Sequence, residues 1–263
     1  MKKLTFLTIL SIIILISSCT SVSIYLPAVT GNDIAYLPKP MASDSIKTKN
    51  YVSGGIAGLT LPYSTGNLDM GFVNFSRAHT FENLNIAYGA FGYAGLTSYY
   101  NNNTKNTTAT ATADFDGKGF IGGGLRSSIG FYDASGNTEF RIISWENVLS
   151  FEGGGYADFR KKMNALQHPD IVSSTKTTLF TTGGATEIIF HAKKKYANQY
   201  ALKAFYGFTP GLKNSLQTPY NDYSTRGGAF NFSFYFKLNK FFGILDAGTN
   251  RGFSSKFSLG YAF

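Results

Sequence analysis

The 263-residue chain has one cysteine, Cys19, so no internal disulfide can staple it. Charge is scarce: Asp, Glu, Lys and Arg make up 15%, against about 25% in ordinary soluble domains. That leaves too few charged side chains for a conventional hydrated surface. The three histidines, His79, His168 and His191, lie far apart, and no HExxH or close ligand pair exists. The glycine runs lack a following Lys-Ser/Thr, and no Gly-x-Ser-x-Gly elbow is present. These absences exclude the recognisable metal, phosphate and serine-hydrolase motifs and predict no enzyme, no metal and no cofactor. After residue 19 no apolar run approaches the roughly 20 residues of a membrane-spanning helix.

What is present begins with a targeting signal. Lys2 and Lys3 precede an apolar run from Leu4 to Ile16, followed by Ser17-Ser18-Cys19. A charged start, a short apolar core and a small-residue exit describe an export signal. Its ending resembles the bacterial lipobox, in which the cysteine is acylated, for instance with palmitate, and becomes the first residue. Residues 1–18 then read as a lipoprotein signal peptide and Cys19 as the lipidation site. Removing Lys2 and Lys3 leaves 22 basic against 15 acidic residues, net +7. These charges are scattered, which gives no footprint for nucleic acid. Aromatics and glycine are abundant instead, with 24 Phe, 17 Tyr and 29 Gly.

Residues 19–50 hold Pro27, Pro38 and Pro40 without periodicity and read as an extended tether. From residue 51 the period is two, the spacing of a strand with two different faces. In "AFNFSFYFKL", Phe230, Phe232, Phe234, Phe236 and Leu238 share one face, while Asn231, Ser233, Tyr235 and Lys237 share the other. The alternation predicts strands at 51–61, 67–77, 82–95, 118–132, 138–152, 182–192, 199–209, 227–238, 241–250 and 254–263. Eight or twelve strands also fit. Connections alternate between short ones and longer polar ones, such as 96–117, 153–181 and 210–226.

The lipobox, the alternating strands and the terminal Phe257, Leu259, Tyr261 and Phe263 together resemble outer-membrane β-barrel proteins of Gram-negative bacteria, with a Bacteroidota-like character. The resemblance implies an all-β, closed, antiparallel up-and-down membrane barrel over residues 51–263, inserted in the outer membrane. It implies that the barrel-assembly machinery reads the final strand. The predicted facing puts Arg126, Glu146, Glu187, Lys203 and Lys237 inside, as a polar network in place of an open pore. Even strand number places both barrel ends, and a lipid-anchored tether, on the periplasmic side. The function expected is structural or surface-interacting, with membrane lipid as one partner. The long loops, carrying Tyr99, Tyr100, Asn101, Asn102, Asn103, Tyr220 and Tyr223, read as solvated surface with tyrosines in an interfacial aromatic belt, or alternatively as contacts for a surface glycan or protein. The competing readings are a soluble β-rich lipoprotein in an envelope complex and, less favoured, a rim-active lipid hydrolase.

Overall fold

The computed structural model describes residues 23–99, 114–192, 195–212 and 228–263. Cys19, Tyr100, Asn101, Asn102, Asn103, Tyr220 and Tyr223 lie outside them. Two short strands, β1 (Ser23–Tyr25) and β7 (Ile171–Ser173), pair in parallel. The other ten are β2 (Thr48–Thr60), β3 (Asn67–Thr80), β4 (Leu84–Ser98), β5 (Gly119–Ser135), β6 (Thr138–Gly153), β8 (Thr178–Ala192), β9 (Lys195–Phe208), β10 (Gly228–Leu238), β11 (Phe241–Asn250) and β12 (Gly252–Ala262). These ten close into an antiparallel barrel in which every strand neighbours the next in sequence. Among the described residues one α-helix, α1 (Gly155–Ala165), sits between β6 and β7. The ten predicted strands are all present, with ends shifted by a few residues.

Closure is made by β12 against β2, from Phe253↔Thr60 to Ala262↔Tyr51. Phe263 and Asn50 then exchange two backbone hydrogen bonds of 3.0 Å each. The seam is tight. A Cβ on Gly55 would fall 2.0 Å from the Phe257 carbonyl oxygen, so only glycine fits there. Four connections at one end are only two or three residues long: 81–83, 136–137, 193–194 and 239–240. The opposite end carries 99–118, 154–177 and 209–227.

The two faces differ as the alternation requires. Val52, Ile56, Val73, Leu125, Ile129, Leu202, Phe232, Leu245, Phe257 and Leu259 are exposed on the outside. Phe151, Phe180, Phe208, Phe230 and Phe253 ring the outside near the long connections. Phe81, Phe131, Phe140, Phe190, Phe241 and Phe263 do so near the short turns. An apolar belt between aromatic girdles is the exterior of a membrane barrel. A soluble barrel with its phenylalanines inside would show the reverse.

Residues 23–43, within the stretch expected to be an extended tether, are not outlying. From Ser23 to Met41 the chain is almost entirely buried and runs through the barrel lumen. β1 lies among the long connections, against β7. Ser43 lies at the short-turn end, beside His191 of β8. The chain then turns into β2 and starts the barrel. The described chain therefore begins at the long-connection end, opposite to the side expected for the tether. Aperiodicity concealed this, because a segment surrounded by wall on all sides has no polar face to alternate.

Candidate functional site: the occupied lumen

An extended segment without ladder partners must still satisfy its backbone N–H and C=O groups. Here the charged side chains of the wall take that role. Arg126 donates to the carbonyls of Asp33 (2.6 Å) and Asn32 (3.3 Å). Lys256 donates to Asn32 and Ile34, both at 3.1 Å. Lys203 donates to Ala35 at 3.0 Å, and Arg141 to Pro40 at 3.1 Å. Carboxylates serve the amides. Glu152 accepts from Ala28 N–H (2.6 Å), Asp246 from Tyr36 (3.3 Å) and Glu139 from Ala42 (2.7 Å). Pro27, Pro38 and Pro40 bring no N–H, which lowers the number of donors the wall must meet.

The same side chains pair with one another. Arg141 bridges Glu139 and Glu187 at 2.9 Å each, and Lys39 of the segment lies 3.8 Å from Glu187. Lys203 pairs with Glu146 at 2.9 Å, and Lys256 with Asp246 at 3.6 Å. Tyr36 donates to Glu187 and stacks on Tyr235 with ring centroids 4.7 Å apart. Arg126 lies over the Phe91 ring at 3.8 Å. Asp33 accepts from Thr181 at 2.5 Å.

The long-connection end is closed by packing. Tyr25 meets Phe115 and Phe159 at 5.5 and 5.0 Å between ring centroids. Tyr156 of α1 donates to the Leu26 carbonyl at 2.7 Å, and Arg160 pairs with Glu152 at 2.6 Å. At the other end Ser43 bonds His191 at 2.6 Å, and Lys49 pairs with Asp44 at 2.7 Å. The Ser43–His191 contact ties the segment to β8. A lumen cavity lined by Tyr36, Pro38, Ser53, Asn74, Arg126 and Lys256 has a volume of about 20 Å³. That is room for about one water molecule. Among the described residues no group of His, Cys, Asp and Glu gathers as a metal site.

The five residues expected in the lumen all point inward and are buried. Glu146 and Lys203 pair with one another. Arg126 differs: it serves backbone carbonyls and Asn74 instead of a carboxylate. Glu187 finds Arg141 and Lys39, and Lys237 lies near Asp44 without joining the central pairs. Sequence reading missed Arg141, Glu139, Asp246 and Lys256. At Arg141 the cause is a β-bulge: the register with β8 shifts between Arg141 and Ser144, and Ile142 and Ile143 both face outward. The bulge breaks the period that would have marked the inward positions. Phe257, Leu259 and Phe263 of the closing strand are exposed on the outer face, and Tyr261 is partly so.

The fold and its two faces define a closed ten-stranded antiparallel membrane β-barrel. No protein-family model matches the chain, and no curated protein matches its sequence. Among solved structures it is similar to the transport unit of the autotransporter AIDA-I from Escherichia coli, at 10% identity and TM-score 0.40, covering 86% of this chain and 93% of that one. It is also similar to the translocator domain of the autotransporter NalP from Neisseria meningitidis, at 9% identity and TM-score 0.40, covering 84% and 90%. OprB from Pseudomonas putida is similar at 6% identity and TM-score 0.28, covering 82% and 92%. All three are outer-membrane barrels.

Proposed function

We propose that the protein is an outer-membrane β-barrel lipoprotein whose lumen is sealed by its own N-terminal segment, and that its role is structural or surface-interacting. The observation that carries this reading is the path of residues 23–43: along the lumen, wall charges hold the segment's backbone groups. The lumen cavity left beside the segment, about 20 Å³, supports a sealed barrel.

With the long connections at the cell surface, as in outer-membrane barrels, the threaded segment starts outside. Cys19 is four residues before Ser23, and extended chain reaches at most about 3.6 Å per residue, which keeps it within about 14 Å. Acyl chains on Cys19 would then enter the outer leaflet, not the inner one that a periplasmic tether would use. The long connections, Tyr99 among them, supply the surface for a glycan or protein partner. The assembly machinery would read Phe257 to Phe263 from the periplasm.

The test is conductance in planar bilayers. The intact chain should be closed, and deletion of residues 23–43 should open a steady pore. Open-pore conductance by the intact protein would end the sealed-barrel reading. Labelling an epitope placed just before Ser23 on intact cells reports the side. Labelling only after the outer membrane is broken would place the N-terminus inside.

A further inference from the structure

One stripe of the lipid-facing wall is polar. Arg77, Tyr88, Ser127, Asn147 and Thr182 stand directly opposite one another across β3, β4, β5, β6 and β8. All five lie on the outer face, between an apolar row containing Phe75, Leu125, Leu149 and Phe180 on one side and a row of His79, Ile86, Ile129 and Trp145 on the other, with His79 beside the Tyr88 hydroxyl. Because barrel strands are tilted, a row perpendicular to them climbs the wall. This one starts near the short-turn end at Arg77 and reaches the long-connection end at Thr182. Its centre is at mid-membrane height: Ser127 is the ninth of the 17 residues of β5, and Asn147 the tenth of the 16 of β6. On the opposite wall the outward positions include Phe232, Leu245 and Phe257.

Two facts point to a polypeptide covering this stripe. Trp145 Nε1 donates to Thr182 Oγ1, which donates to Asn147 Oδ1, both at 2.8 Å. That fixes the Asn147 amide with its N–H groups free. Among the described residues neither those groups nor the Ser127 hydroxyl has a hydrogen-bond partner. Hydrocarbon supplies none, and unsatisfied donors at that depth are costly. The second fact is the position of the only tryptophan. Tryptophan favours the membrane interface, yet Trp145 is mid-strand and 60% exposed. A large exposed aromatic beside unpaired amide donors is the composition of an interface centre.

We infer that this face is where a second copy of the chain docks, side by side in the membrane. Two copies with the same orientation are related by a two-fold axis along the membrane normal, so the patch must complement itself. It does so chemically: an amide is both donor and acceptor, and Asn147 Oδ1 keeps a lone pair after accepting from Thr182. It does so in shape as well. A groove of about 540 Å³ runs along the stripe, lined by Tyr88, Ala90, Leu125, Ser127, Asn147 and Phe180, and the exposed Trp145 stands outside its lining, two residues from Asn147 on the same face. The Trp145 ring of each copy can enter the groove of the other. Facing stripes that climb obliquely cross at their middles, which are Ser127 and Asn147. A phospholipid carries its acceptors at the headgroup, away from this depth, and would leave both residues unsatisfied.

This inference rests on the membrane placement above. The test uses the full chain in reconstituted bilayers and in mild detergent, with the parent protein, whose single cysteine is Cys19, as blank. Ser127→Cys should give an oxidised dimer, and Phe232→Cys on the opposite wall should not. Asn147→Leu should weaken the dimer about tenfold, the worth of one interchain hydrogen-bonded pair in a membrane. Ala90→Trp, which fills the groove without touching a polar group, should also disperse it. Monomeric mass for the parent, equal cross-linking at Ser127 and Phe232, or a phospholipid found bound in place of the second copy would overturn the proposal. Release of the protein without detergent would instead overturn the membrane placement itself.

Discussion

Replacing Arg141 with methionine tests why the lumen is charged. The guanidinium is fully buried and holds Glu139 and Glu187 at 2.9 Å each and the Pro40 carbonyl at 3.1 Å. Without it Glu187 keeps Lys39 at 3.8 Å and the Tyr36 hydroxyl. Among the described residues Glu139 keeps only the Ala42 amide as a hydrogen-bond donor, and it loses its ion pair. Removing one partner of a buried ion pair costs about 3–5 kcal/mol, because a charge is left uncompensated. With a urea slope of about 3 kcal/mol/M, the unfolding midpoint should fall by about 1–1.7 M. Trp145, the only tryptophan, reports the transition by its fluorescence in lipid vesicles. The decisive arm is the double variant Arg141→Met with Glu139→Gln. It removes the stranded charge, leaves the Lys39–Glu187 pair, and should recover more than half of the loss. A single variant that costs under about 1 kcal/mol, or a double variant no better than the single, would refute the account of these charges as mutually compensating.

Gly55→Ala places a methyl against the Phe257 carbonyl at the closing seam; an overpacking cost of about 1–3 kcal/mol should appear as a lower urea midpoint and slower closure. Deleting Phe263 removes its two backbone bonds to Asn50 and should cost about 1–3 kcal/mol in vesicles; a much larger loss of assembled protein in cells would separate recognition by the assembly machinery from stability. Phe159→Ala removes a ring packed on Tyr25 and Phe115 and should speed proteolysis at residues 23–28 by exposing β1, while conductance stays closed. Burial raises the Asp44 carboxyl, but the hydrogen bond and charge of Lys49 outweigh it and hold the group below the ordinary carboxylate range. A depressed carboxylate stabilises above its unfolded pKa and loses that contribution as pH falls through the folded one. Protection of the Met41 amide, which donates to Asp44, taken as its exchange rate relative to the intrinsic rate at the same pH, should therefore be high at neutral pH and fall below the carboxylate range; a pH-independent protection factor would remove Asp44 from the anchor.

The ten barrel strands and the facing of most of them were legible in the sequence, because a two-faced strand writes its environment as a period of two. Phe230 to Leu238 and Phe257 to Phe263 read directly as outward positions, and Glu146, Lys203 and Glu187 as inward ones. Closure into a barrel was implied by the resemblance that the alternation and the terminal Phe257 to Phe263 carry, and the structure makes it by pairing β12 with β2. Three things were not legible. The β-bulge at Arg141 moved the period and hid the most connected cation of the lumen. The polar stripe from Arg77 to Thr182 exists only through cross-strand register, which joins residues up to about a hundred positions apart. The route of residues 23–43 left no pattern, since the wall satisfies that segment through Arg126, Lys203, Lys256 and Arg141, residues distant in the chain. The sequence by itself determined which residues face lipid and which face the lumen, because local alternation is enforced by solvent. What fills the lumen, and from which end, was decided only by the tertiary structure, because those contacts are long-range and repeat with no period.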